Sequence, residues 1–184
     1  KREAGKMKIR KALLEDAAGI GRVHVDSWRT TYAEIISADF LAGLSYENAE
    51  GNWRRNILNA KNTVFVVENE EGMIIGFADT SKRERNDTPN STDLTSLYFL
   101  QEYQGLGLGK QLLQVLFRHY KEKGYEKVFV DVLEANKTRH FYEKYGAELV
   151  GNVQIKIGPD LLGESFYVWN SVDEVLAKLD GVSV

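Results

Sequence analysis

Hydrophobic positions in the first part of the chain recur mostly at helical spacing. After an apolar strand-like pattern at residues 8–13, an amphipathic helix is predicted to begin at Glu15 and Asp16, whose acidic side chains suit its positive end. The apolar face of this helix includes Ile20, Val23, Val25 and Trp28. The same spacing predicts that this helix runs to about Ser27 or beyond, and that further helices cover residues 33–44 and 47–59.

Residues that favour strands dominate the middle of the chain. Segments 63–67 and 73–78 are rich in valine, isoleucine and phenylalanine, and Glu70-Glu71-Gly72 lies between them as a turn, which predicts an antiparallel hairpin. Residues 82–92 are polar, contain Pro89 and show no periodicity. We therefore expect a loop there, with its charges solvated.

Strands and helices alternate in the second half of the chain. The pattern predicts strands at 93–100, 127–133, 148–156 and 164–169, and helices at 107–123, 136–145 and 173–179. Alternation after an initial helical block is typical of an α/β fold, in which helices pack on both faces of one mixed sheet.

The composition is that of an ordinary folded domain. The chain has 184 residues, a formal net charge of -3 and no cysteine. We expect a single domain over residues 7–184, preceded by an added or unstructured leader at residues 1–6. The lack of cysteine excludes disulfides, thiolate metal sites and a cysteine-based acyl-enzyme.

Charge and hydropathy also limit the partners. A general nucleic-acid binder needs a basic stripe for phosphate contacts, and the acidic balance argues against one. Apolar runs stay well short of the ~20 residues that span a bilayer. The sequence therefore predicts a cytoplasmic protein with neither a nucleic-acid nor a membrane partner. The 3 histidines are scattered without acidic companions at ligand spacing, so no metal is expected.

A glycine-rich segment, Gln104-Gly105-Leu106-Gly107-Leu108-Gly109, lies between a predicted strand and a predicted helix. Free amides and the helix dipole make such a junction an anion site. Glycine also permits close approach of a ligand and the turn that aims several N–H groups inward. The segment therefore suits a pyrophosphate.

Spacing separates three nucleotide-binding patterns. The dinucleotide pattern G-x-G-x-x-G, counted from Gly105, requires glycine where Lys110 stands. A P-loop requires glycine at Gln104 and serine or threonine at Gln111. A third pattern, Gln or Arg followed by x-x-Gly-x-Gly or Ala, is met from Gln104 to Gly109.

A second motif follows a predicted buried strand. Asn136, the pair Phe141-Tyr142 and Gly146 stand at the opening and along the length of a predicted helix, with Asn136 as its N-cap and Tyr142 facing inward. Together with the glycine segment, this resembles the GCN5-related N-acetyltransferase (GNAT) superfamily over most of the chain. The resemblance implies a three-layer sandwich with a mixed, mostly antiparallel sheet whose two central strands splay apart.

The resemblance also implies roles for individual residues. Acetyl-CoA would be the co-substrate, with its pantetheine arm on Asn136 and a proton for the leaving thiolate from Tyr142. Main-chain contacts to pantetheine would come from the first central strand, at Leu97, Tyr98 and Phe99. The pyrophosphate would be held by Gln104, Gly105, Leu106, Gly107, Leu108, Gly109 and Lys110.

The general base and the acceptor site are open at this stage. Asp93 resembles the carboxylate position of some histone-acetylating members and is preferred, whereas Asp131 aligns with the glutamate of the ribosomal-protein acetylating branch. Either carboxylate could instead cap a loop or pair with a cation. Trp28 and Tyr32, one helical turn apart, could clasp a cationic amine or belong to the core.

The sequence thus predicts an N-acetyltransferase that moves an acetyl group from acetyl-CoA directly to a primary amine of a small molecule or peptide. The alternative is a non-catalytic acetyl-CoA-binding sensor, which would need the glycine segment but not Tyr142 or a nearby carboxylate. Dimerisation is an expectation from the family resemblance alone.

Overall fold

The computed structural model describes residues 5–181. The strands are β1 (Lys8–Lys11), β2 (Thr63–Glu68), β3 (Ile74–Thr80), β4 (Ser91–Phe99), β5 (Lys127–Leu133), β6 (Glu148–Ile157) and β7 (Asp160–Trp169). The helices are α1 (Ala17–Thr31), α2 (Ala38–Ala42), α3 (Tyr46–Leu58), α4 (Leu108–Glu122), α5 (Thr138–Lys144) and α6 (Val172–Leu179). Among these residues, no helix combines the length and the apolar character needed to cross a membrane.

The strands follow the order β1-β2-β3-β4-β5-β7-β6. β4 and β5 run parallel, with Ser91 opposite Lys127 and Leu94 opposite Val130. The pairs β1-β2, β2-β3, β5-β7 and β6-β7 are antiparallel. The predicted α/β class with a mixed, mostly antiparallel sheet is therefore confirmed, whereas the splay between the two central strands stays a prediction.

Backbone contacts divide the chain into two compact units. The first contains the chain up to Ser81 together with residues 96–112, and the second contains residues 82–95 and the chain from Leu113 onward. β4 and α4 are therefore each shared between the units. The expectation of one domain over residues 7–184 stays a prediction.

The core of the first unit forms where α1 and α3 pack on each other and on β3. Phe77 of β3 is fully buried, and its ring centre lies 4.8 Å from that of Trp53 on α3. The Trp53 indole nitrogen donates a 3.0 Å hydrogen bond to Nδ1 of His24 on α1. Burial lowers the pKa of His24, which keeps its ring neutral and able to accept that bond.

In the second unit, β5 and β7 present two different faces. Val130 and Tyr167 are paired and buried, and Trp169 on their face packs against Phe117 of α4 with ring centres 5.1 Å apart. Because side chains alternate along a strand, the opposite face carries the remaining residues. These are Phe129, Asp131 and Leu133 on β5, opposite Val168, Phe166 and Glu164 on β7.

The largest difference from the predicted elements lies in residues 33–44. α1 ends at Thr31, and the Tyr32 carbonyl then accepts hydrogen bonds from the amides of Ile35 and Ile36, which closes a turn. The Ser37 hydroxyl accepts from the Phe40 amide and starts the short α2. The predicted single helix is wrong here because local side-chain capping interrupts the periodicity.

Two strands also begin earlier than predicted. β4 starts at Ser91, inside the predicted loop, and β7 starts at Asp160 rather than at Glu164. β6 and β7 form one long hairpin, paired from Glu148 and Val168 to Ile157 and Asp160. Its outer positions are polar or exposed, so the hydrophobic pattern gave no signal for the extra residues.

Candidate active site

The glycine segment has the backbone geometry expected of an anion-binding turn. A single 3-10 turn at Gln101–Tyr103 follows β4, and α4 begins at Leu108. Gly105 and Gly107 have φ angles of 74° and 79°, and a Cβ added to either would meet nothing within 4 Å. Backbone conformation, not crowding, therefore requires glycine at these positions. The open space beside them is available to a ligand.

Neighbouring side chains anchor this turn. Tyr103 is buried, and its hydroxyl accepts a 3.2 Å hydrogen bond from the side-chain nitrogen of Asn69. The Gln104 side chain donates to the Phe99 carbonyl at 3.1 Å. Leu108, 2% exposed, fixes the first turn of α4, whose amides have no acceptor within the helix. The predicted pyrophosphate residues thus span the glycine turn and the first turn of α4.

Trp28, Tyr32 and Tyr98 belong to an aromatic cluster in the first unit. The rings of Trp28 and Tyr32 are 5.0 Å apart at 70°, and the hydroxyls of Tyr32 and Tyr98 lie 2.9 Å apart. Tyr32 is only 3% exposed, whereas Trp28 is half-buried. The indole N–H of Trp28 is buried and has no hydrogen-bond partner among the described residues. A role for this pair in acceptor binding stays a prediction.

The second predicted motif lies around the start of α5. Asn136 is buried, and its side-chain oxygen accepts a 3.0 Å hydrogen bond from the Thr138 amide. Asn136 stands one residue before the N-cap, Lys137, so the expected N-cap position is wrong by one residue. The side-chain oxygen of Asn136 nevertheless accepts a hydrogen bond from an amide of the first turn, as an N-cap residue would. Tyr142 is 4% exposed, and its ring centre lies 5.3 Å from that of Trp169.

Asp93 organises the polar segment 82–90. Its carboxylate is 4% exposed and accepts hydrogen bonds from the Arg83 amide at 3.0 Å and from the Asn86 side chain at 2.9 Å. The Asn86 oxygen in turn accepts from the Thr88 amide and from the Ser91 hydroxyl. The predicted solvated loop is therefore folded around a buried carboxylate.

A cavity of about 350 Å³ lies in the second unit, where this segment faces β5 and β7. Its walls combine aromatic rings with charged groups. The lining residues are Arg85, Asn86, Asp87, Thr88, Asp93, Phe129, Asp131 and Phe166. An apolar cleft with a few convergent polar groups is the usual form of a small-molecule site.

Two arginines lie close to the carboxylates beside this cavity and offset their negative charge. Arg83 Nε lies 3.7 Å from Asp131 and 4.0 Å from Asp93. Arg85 forms an ion pair with Asp131 and lies over the Phe166 ring, 5.0 Å from its centre. Burial raises the pKa of Asp131, and the two guanidiniums oppose that rise.

Glu164 is a further acidic group on this face. Burial, followed by the charge of Asp131, raises the pKa of its carboxyl. Sequence reasoning did not identify Arg85, which lines the cavity, or Arg83 and Glu164, which act on Asp131 from beside it, because only the strand register and the folded 82–90 segment bring these residues together. Within residues 5–181, no group of three His, Cys, Asp or Glu side chains is arranged to hold a metal ion.

Comparison with known proteins gives consistent results. Residues 20–147 match the acetyltransferase (GNAT) family. The uncharacterized N-acetyltransferase YuaI of Bacillus subtilis (strain 168) is 36% identical over 172 residues, which cover 94% of this chain and 98% of that protein.

Two further proteins extend the comparison. The ribosomal protein bS18-alanine N-acetyltransferase of Haemophilus influenzae is 34% identical over 113 residues, covering 61% of this chain and 70% of that protein. The crystal structure of the PaiA N-acetyltransferase from Thermoplasma acidophilum in complex with coenzyme A has a TM-score of 0.70 and 25% identity, covering 86% of this chain and 98% of that one.

Proposed function

Because this chain belongs to the acetyltransferase (GNAT) family, whose members use acetyl-CoA, we propose that it transfers the acetyl group directly to a primary amine of a small molecule or peptide. In this proposal Tyr142 is the general acid. The observation that carries it is the turn at Gly105 and Gly107, whose left-handed backbone lies beside open space at the start of α4, where helix amides are suited to an anion.

Each part of acetyl-CoA has a matching group in the chain. The amides from Gly105 to Lys110 suit the pyrophosphate, because they combine free donors with the positive end of α4. Main-chain groups of Leu97, Tyr98 and Phe99 and the side chain of Asn136 are proposed to hold the pantetheine arm. The Phe99 carbonyl accepts a hydrogen bond from the Gln104 side chain, which ties the end of β4 to the glycine turn.

Acetyl transfer to an amine takes place in three steps. The acceptor must lose its ammonium proton to a base, its nitrogen then forms a bond to the thioester carbon, and the carbon–sulfur bond breaks. The nitrogen that has attacked is cationic and releases a second proton, which replaces the one that the general acid donates to sulfur. The departing sulfur carries a negative charge, and a proton from the Tyr142 hydroxyl neutralises it. Without cysteine, direct attack by the amine avoids an acyl-enzyme.

We propose Asp131 as the base, although Asp93 was preferred from the sequence. Asp93 accepts hydrogen bonds that hold the 82–90 segment, so a change in its protonation would disturb that segment. Asp131 lines the cavity, and its raised pKa makes it a stronger base than an ordinary carboxylate. Asp93 stays the alternative base.

A second candidate function, an acetyl-CoA sensor, would use the glycine turn without catalysis. The buried hydroxyl of Tyr142 and the raised pKa of Asp131 favour the enzyme, because binding alone needs neither. The test is thiol release from acetyl-CoA with a panel of diamines, amino acids, aminoglycosides and peptide N-termini. Amine-dependent release supports the enzyme. Tight coenzyme A binding with no release for any amine supports the sensor.

Replacing Gly107 with alanine is expected to raise KM for acetyl-CoA about tenfold, since a side chain disfavours the left-handed backbone that aims the amides. Gly124→Ala is the matched control, because Gly124 has the same φ of 79° and equally open surroundings, yet lies in the turn after α4. Steady-state kinetics on both variants measures the difference. Equal KM values in the two variants would remove the turn from cofactor binding.

A further inference from the structure

The cavity beside β5 and β7 already holds a cation supplied by the protein. The guanidinium of Arg85 pairs with Asp131 and lies over the ring of Phe166. A carboxylate next to an aromatic face is a favourable site for an ammonium or guanidinium ion. The Arg85 side chain is nevertheless 56% exposed, so it reaches the site from solvent and is not fixed in the core.

Displacing Arg85 would cost little free energy. The Arg85 guanidinium is exposed, so water and salt screen its side of the pair, and the carboxylate of Asp131, 9% exposed, is paired again by the incoming cation. Asp131 would still have Arg83 at 3.7 Å after Arg85 leaves. An incoming ammonium ion can therefore compete for the place that Arg85 occupies.

Negative charge is in excess around this site even with both arginines in place. Asp93 and Asp131 face the two guanidiniums, whereas no residue in the described part of the chain makes a hydrogen bond or ion pair to the Glu164 carboxylate. Asp87 adds another carboxylate at the cavity wall. Arg83 and Arg85 act on Glu164 only through their charge and oppose the rise in its pKa, so a cation that takes the place of Arg85 would restore the stabilisation that Glu164 loses.

The strand register places Glu164 at a defined distance from Asp131. Asp131 is opposite Phe166, and Glu164 precedes Phe166 by two residues on the same face of β7. Such diagonal neighbours lie about 7–8 Å apart in an antiparallel pair. This is a spacing of the backbone, and because both side chains project from the same face, the two carboxylates lie within reach of two ammonium groups joined by a short aliphatic chain.

We propose that Arg85 stands in for the acceptor: an acceptor amine replaces its guanidinium at Asp131 and Phe166, and a second positive charge on the acceptor pairs with Glu164. This inference rests on the proposed amine acetylation and names its acceptor class, which is aliphatic diamines and their longer homologues. Arg85 and Glu164 are then residues that determine specificity, and neither is required for the chemical step.

The test compares 1,5-diaminopentane with pentylamine, which share a carbon chain and differ in the second charge. Wild-type kcat/KM is expected to favour the diamine about tenfold or more, beyond the statistical factor of about two for its two amines. Glu164→Gln should reduce the ratio to about that statistical factor. Arg85→Gln should lower KM for both amines about threefold to tenfold, because the competing cation is gone.

Arg118→Gln is the control for Arg85→Gln, because Arg118 is 57% exposed and also pairs with an aspartate, Asp180. This variant should retain the wild-type KM for both amines. An equal preference for the two amines in wild type, a preference that survives in Glu164→Gln, or a raised KM in Arg85→Gln would each overturn the inference.

Calorimetric titration of 1,5-diaminopentane separates this inference from the proposed function. Diamine binding that is weakened by Glu164→Gln, without thiol release for any amine, would overturn the proposed function and support the diamine site. Release with amines that shows no diamine preference would support the function and overturn the site. If the diamine does not bind and no amine causes thiol release, both the diamine site and the proposed function are overturned.

Discussion

Replacing Tyr142 with phenylalanine is expected to lower kcat about 100-fold and to leave KM for acetyl-CoA within about twofold of wild type. The substitution removes the proton that neutralises the departing thiolate but keeps the ring that packs against Trp169. Loss of an interaction made only in the transition state lowers kcat without weakening ground-state binding. Steady-state thiol release with the best amine of the panel measures both constants.

Tyr145→Phe is the matched control for this prediction. Tyr145 ends α5 and is 8% exposed, so removing its hydroxyl makes a comparable change in the same helix. We expect wild-type kcat for this variant. A kcat of Tyr142→Phe equal to that of Tyr145→Phe would contradict the role of Tyr142 as general acid.

The Asp131→Asn variant is expected to lose about 100-fold or more in kcat/KM, because an amide cannot take the ammonium proton of the acceptor. Asp93→Asn is the comparison, since the amide can keep part of the hydrogen bonding to the 82–90 segment. We expect a much smaller kinetic loss for Asp93→Asn. A large loss in Asp93→Asn with near-normal activity in Asp131→Asn would identify Asp93 as the base.

The pH dependence of kcat/KM provides a second test of Asp131 as the base, because the direction of the change can be predicted. The base must be ionised, so kcat/KM falls as the pH drops through the pKa of Asp131, which burial raises above the ordinary carboxylate value of about 4. Arg83, Arg85, Asp93 and Glu164 are the charged groups that act on it. Arg85→Gln removes a positive charge and should move this acidic limb to higher pH, and Asp131→Asn should abolish it.

The glycine turn could be predicted from sequence because its chemistry is local. Gly105 and Gly107 occupy backbone conformations that other residues rarely adopt, so residue type and position together specify the turn. The inward direction of Tyr142 also followed from spacing within one helix. The mixed, mostly antiparallel character of the sheet, in contrast, came from family resemblance, since periodicity carries no information on which strands pair.

The cavity could not be predicted because it depends on long-range register. Arg85 and Asp131 are far apart in sequence, and the polar composition of residues 82–92 gave no sign that this segment folds around Asp93. Glu164 begins the predicted strand, and only the register of β7 against β5 places it on the same face as Asp131. A run of charged residues that the sequence predicts to be exposed to solvent can therefore line a binding site.

The most direct test of the account is a mass spectrum of acceptor and protein after wild-type enzyme has turned over acetyl-CoA with the amine panel. Direct transfer predicts one acetyl group on a primary amine, an equal amount of free coenzyme A, and protein of unchanged mass at every time point. Acetylated protein that forms first and then decays, or bound coenzyme A with no acetylated amine, would contradict the account.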